Sequence, residues 1–284
     1  KLAEIPLFPQ MLNYYTSSSS ATLPPPSLPI GFEVESQNTR FGAYRVRGFD
    51  PDSAVHMMGL VLVIYLVGVQ IINFALGGGM TGVAESFEDS ITTVDLLLNA
   101  APLIILSLVG VGLGLRRNWS QTMQRLGLGL PTFEGLAVAG VLTIGLLFFV
   151  GIVSVIWMGL VSGETFEEQT EASDALSNSV STLWLAFMVA ATAAIGEEIA
   201  FRGALQPVFG LWPTSIIFAL THIQYTLTPA SLIILGVALG FGWMRKRYNT
   251  TAAIATHFMY NFIPLALVVI APEEEAFLRV LGLM

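Results

Sequence analysis

From residue 54 onward the chain alternates long apolar runs with short polar breaks, and the runs have the length of membrane spans. A hydrocarbon core about 30 Å thick needs about 20 apolar residues at 1.5 Å each. Runs that approach or exceed that length predict helices at about 54–76, 93–115, 133–161, 181–205, 212–226, 229–245 and 250–271. The fifth and sixth are short for a full crossing, so totals of six or eight spans stay open. The fold class expected is an all-α, polytopic membrane helix bundle of about seven transmembrane helices. Residues 1–52 read differently. The stretch 17–31 is rich in Ser and Pro, a composition that favours extended chain over a packed core. The predicted organisation is therefore a largely irregular extramembrane tail at 1–52 and a transmembrane domain at 53–284.

Composition sharpens this reading. Of 284 residues, 54% are hydrophobic and 11% charged, and mean hydropathy is +0.71. Soluble domains carry roughly a quarter of their residues as charged side chains, more than twice this share. The net charge of -8 and the lack of a basic face exclude a nucleic-acid partner. With no cysteine, thiolate nucleophiles, iron-sulfur clusters and disulfides drop out.

Basic residues mark topology, because Lys and Arg concentrate in short cytoplasmic loops. Arg40, Arg45 and Arg47 precede the first span, Arg116, Arg117 and Arg125 follow the second, and Arg245, Lys246 and Arg247 follow the sixth. In a seven-span layout all fall on one side. That side is expected to be cytoplasmic, with the N-terminal tail, while the C-terminus lies opposite in a plasma or inner membrane. The opposite loops hold Glu85, Glu88, Asp89, Asp95, Glu164, Glu167, Glu168, Glu171, Asp174 and Glu273 to Glu275, with Arg279 as their one base. These are read as solvated acidic loops. The sequons at Asn118 and Asn249 fall on the basic side and are expected to stay unglycosylated. Gly110 with Gly114, and Gly236 with Gly240, stand four apart within predicted spans, where small residues permit close helix approach.

Ionisable residues inside apolar spans carry the functional signal, since each costs about 2.5–3.5 kcal/mol at mid-membrane on insertion scales. The fourth span ends in Glu197-Glu198-Ile199-Ala200-Phe201-Arg202. Glu198 and Arg202 are four apart, on one helix face and able to pair, whereas Glu197 points about 100° away. One structural and one chemical carboxylate are expected. Two of the three histidines, His222 and His257, lie in the last three spans, with Phe218 one turn before the first and Asn261 one turn beyond the second. A single histidine on an apolar helix is more often a hydrogen-bonded structural residue. Two carboxylates, an arginine, two histidines and an asparagine within 65 residues point instead to one shared polar site. His56, at the membrane entrance of the first span, needs no function.

These residue types suit water activation. Glu197 with His222 can hold and deprotonate a water, while His257 and Asn261 donate to a developing oxyanion. No GxSxG elbow is present to support serine chemistry.

Glu197-Glu198-x-x-x-Arg202, Phe218-x-x-x-His222 and His257-x-x-x-Asn261, in that order on successive spans, resemble the CPBP family of CAAX prenyl endopeptidases and bacteriocin-processing proteins, also called the ABI family. The resemblance covers about 181–265. It implies an intramembrane endopeptidase that hydrolyses a peptide bond of a membrane-associated protein or peptide. In that scheme Glu197 and His222 position the nucleophilic water, His257 and Asn261 form the oxyanion hole, and Glu198 and Arg202 support them electrostatically. Some members have been described as metalloproteases. HExxH is absent, yet Glu197, His222 and His257 could form a His₂Glu zinc site with water as fourth ligand. Two other readings stand beside the protease: a binding or assembly subunit of a larger membrane complex, and a proton- or ion-coupled transporter using the same buried acids.

Overall fold

The computed structural model describes residues 49–77, 91–163, 166, 175, 177–222 and 230–271. The Ser/Pro stretch 17–31, Arg40, Arg45 and Arg47, the acids at 85, 88, 89, 164, 167, 168, 171, 174 and 273–275, and Arg279 lie outside the described residues.

The regular elements described are helices: α1 (Ala54–Leu76), α2 (Thr93–Gly110), α3 (Trp119–Leu126), α4 (Phe133–Met158), α5 (Leu183–Glu198), a wide π-helical turn (Ile199–Leu205), α6 (Gln206–Phe209), α7 (Leu211–Thr221), α8 (Ala230–Arg247) and α9 (Thr250–Ile270). Their starts follow from local chemistry. Ser53, Thr132, Thr182 and Asn249 each accept a backbone N–H of the first turn, and Thr92/Asp95 and Asn118/Gln121 form reciprocal capping boxes. Both sequon asparagines therefore serve as helix caps.

Among the described residues five helices are long and apolar enough to cross a membrane: α1, α2, α4, the continuous run Leu183–Phe209, and α9. The chain is an integral membrane protein. Each of the seven predicted segments holds a helix among the described residues, 223–226 of the fifth lying outside them, with two corrections. The fifth stops at Thr221, and its 11 residues rise only about 16 Å, half a hydrocarbon core. The second stops at Gly110, so Gly114 lies not in a helix but in the following turn, at φ +74°. The predicted close approach holds for the other pair: a Cβ on Gly236 would sit 2.6 Å from the Phe149 ring, and one on Gly240 3.0 Å from Leu146. Helix α8 thus packs tightly on α4.

Helix α9 packs against α5, α4 and α8, and α2 runs beside α5 and the π-helical turn. The buried cluster Leu62, Leu66, Leu126, Phe201, Leu205 and Phe218 gathers α1, α3, the π-helical turn and α7 around one core. Helix α3 is an addition that span-length patterns do not predict. Its 8 residues cannot cross a bilayer, and its C-terminus is tied to the start of α9: Thr250 donates from N to Gly127 O at 2.9 Å and from its hydroxyl to Leu126 O. The basic segments after α2 and at the end of α8 therefore share one end of the bundle.

Candidate active site

Glu198 closes α5 and Arg202 follows one turn later inside the π-helical turn. Both are fully buried, with Arg202 Nε 3.2 Å from Glu198 Oε2. The pairing expected from their spacing is present. A buried charge pair needs further partners, since desolvation offsets most of its attraction. Arg202 finds them in the carbonyl of Ala238 on α8, 3.0 Å from Nη2, and in the face of Phe218 at 4.4 Å.

The second oxygen of Glu198 goes elsewhere. Oε1 lies 2.9 Å from Nδ1 of His257, which is 4% exposed. A carboxylate can only accept here, so Nδ1 carries the proton. The imidazole also stacks on Phe241 of α8, centroids 4.5 Å apart and planes 20° from parallel. A carboxylate and an aromatic face thereby fix one ring.

His222 ends α7. Its Nδ1 donates to the carbonyl of Phe218 at 2.9 Å, which again assigns the proton to Nδ1. The Phe218 ring is common ground. It lies 4.6 Å from the His222 ring and 6.2 Å from that of His257, besides carrying Arg202. The structure thus gathers Glu198, Arg202, His222 and His257 around one aromatic residue.

Glu197 is half-buried, and its Oε2 is shielded without a hydrogen-bond partner among the described residues. An unsatisfied buried carboxylate oxygen is costly and marks a position that takes a ligand or water. Asn261 sits one turn beyond His257 on α9 and is half-buried. For zinc the donor set is a poor match, since among the described residues no three His, Asp or Glu side chains group as a metal cluster.

Two arginines that sequence places in basic loops are buried here. Arg125 of α3 is 8% and Arg245 of α8 is 2% exposed. Arg125 donates to Gly203 O at 2.9 Å and Arg245 to Arg202 O at 3.2 Å. Gln206 donates to Gly242 O at 2.9 Å, a further tie between this segment and α8. The loop reading of Arg125 and Arg245 is corrected on this point; Lys246 and Arg247 remain exposed.

The site defines a class: an integral membrane helix bundle with a buried Glu–Arg–His network and, beside it, a second glutamate whose Oε2 has no hydrogen-bond partner among the described residues. Residues 179–263 match the family model described as type II CAAX prenyl endopeptidase Rce1-like. The match bears out the resemblance read from the three motifs and coincides with the segment that builds the site. No curated relative and no solved structure gives a significant match.

Proposed function

We propose that the protein is a glutamate-dependent intramembrane endopeptidase acting on a membrane-associated protein or peptide. The observation that supports it most is the contrast between two adjacent carboxylates: Glu198 is held by an ion pair to Arg202 and a hydrogen bond to His257, while among the described residues no hydrogen-bond partner reaches the shielded Oε2 of Glu197. One acid builds the site and the other is left for chemistry.

In this reading the attacking water is held between Glu197 and Nε2 of His222, whose Nδ1 proton is committed to the Phe218 carbonyl. Glu197 takes a proton as the water oxygen bonds to the peptide carbon. A positioned base contributes roughly 10²- to 10⁴-fold. The carbonyl oxygen, now charged, is met by Asn261 and by His257, whose donating role requires a proton on Nε2 as well as on Nδ1. Each such donor is worth roughly 10²- to 10³-fold. Collapse breaks the C–N bond and returns the proton from Glu197 to the leaving amine. Arg202 acts at one remove, orienting Glu198 and through it His257. The N-terminal tail and the basic loops face the cytoplasm in this proposal. The test is cleavage: a membrane-associated substrate cut by the wild type must stay intact with Glu197→Gln, while the variant protein accumulates normally.

A further inference from the structure

The π-helical turn has a backbone deficit at a definable place. Its closing bond runs from Gln206 N–H to Phe201 O, five residues back. The next donor in that register would be the N–H of residue 207, serving Arg202 O; in an α-helical register the same N–H would serve Gly203 O. Residue 207 is proline and has no N–H. Buried carbonyls left this way are normally satisfied from elsewhere.

Two arginines from separate elements reach these oxygens. Arg245 Nε donates to Arg202 O at 3.2 Å, Arg125 Nη1 to Gly203 O at 2.9 Å, and Arg125 Nη2 approaches Ala204 O at 3.5 Å. The chain makes room for both. Gly127 adopts φ +68°, and a Cβ there would lie 2.6 Å from the Arg245 guanidinium carbon; one on Gly203 would lie 3.0 Å from Leu126 Cδ2 and 3.2 Å from Leu126 O.

We propose that Arg125 and Arg245 are positioning residues, guanidinium donors that replace the amide missing at Pro207 and hold the π-helical register in which Arg202 meets Glu198. The register matters because a slip of one residue turns a side chain by about 100°. Without the two donors Arg202 swings off Glu198, and Glu198 no longer fixes His257. The proposal goes beyond the catalytic reading and does not depend on proteolysis.

The test uses the full chain in detergent micelles, with ¹⁵N-labelled histidine and amide exchange over 199–206 as readouts. The chain has three histidines, and His56→Gln and His222→Gln variants assign them by elimination. Arg245→Gln and Arg125→Gln are each made alone and with Pro207→Ala, which restores the missing N–H. We expect each single variant to move the His257 Nδ1 resonance and to speed exchange by roughly tenfold, as for a lost charged hydrogen bond. Pro207→Ala should recover at least half of both effects. Gly127→Ala, which displaces Arg245 without removing its charge, should shift His257 in the same direction. Where a single variant fails to fold, recovery of folding in its Pro207→Ala partner counts in favour. Unchanged His257 and exchange signals in Arg245→Gln, or no recovery with Pro207→Ala, would overturn the proposal. Neither readout requires a substrate, so failure here is distinct from failure of the protease reading.

Discussion

Nδ1 of His257 stands 2.9 Å from Oε1 of Glu198, a bond between helices whose residues are 59 positions apart. It makes Glu198 a bridge, because the other oxygen of the same carboxylate faces Arg202 at 3.2 Å. One acid thus joins α5, the π-helical turn and α9, and none of the three side chains can be removed without stranding another in the interior.

Stability should therefore separate the adjacent glutamates. Glu198→Gln leaves the guanidinium of Arg202 without its counter-charge, and breaking such a buried pair costs about 3–5 kcal/mol. Glu197→Gln removes no hydrogen bond of Oε2 among the described residues and should stay within about 1 kcal/mol of the wild type. Thermal unfolding of both variants in the same detergent checks this; equal loss would show that Glu197 is structural too.

Much of this was legible in sequence, and the limits were physical. Glu198 and Arg202 are one turn apart, so helix geometry alone predicts their contact. Glu198 and His257 meet only because α5 packs on α9, a relationship that spacing within one helix cannot express. The π-helical turn adds a single residue to one turn of 183–209, a change that residue types alone do not mark. Arg125 and Arg245 read as loop charges because a long side chain near a helix end can turn inward or outward, and composition does not tell which. The signals that were available for α3 were Asn118 with Gln121, a capping box, and Gly127 at its end.

The reaction scheme ranks the remaining site variants. His222→Ala loses water positioning and Asn261→Ala an oxyanion donor, and each should lower kcat by roughly 10²- to 10³-fold with folding retained. Cleavage rates on a reconstituted membrane substrate measure this. A variant with wild-type kcat would remove that residue from the mechanism.

Metal removal should have little effect. Since Glu197, His222 and His257 do not group as a metal cluster among the described residues, dialysis against a strong zinc chelator should leave activity within about twofold, as expected when Glu–His water activation carries the step. Loss restored by added zinc would require a rearranged donor set.

Topology is directly accessible because the chain contains no cysteine. Ser120 and Lys246 are exposed at the basic end of the bundle, and Ser181, just before α5, is exposed at the other. Single cysteines at Ser120 and Lys246 should react with an impermeant maleimide only in inside-out vesicles, and one at Ser181 only in right-side-out vesicles. The reverse pattern would invert the proposed orientation.

In the proposed mechanism Glu197 is the base of a peptide hydrolysis within the membrane. The most direct measurement compares peptide termini in membranes carrying the wild type with those carrying Glu197→Gln at equal protein level. New termini next to hydrophobic segments are expected with the wild type alone. Identical sets of termini, with the wild-type phenotype retained in Glu197→Gln, would contradict it.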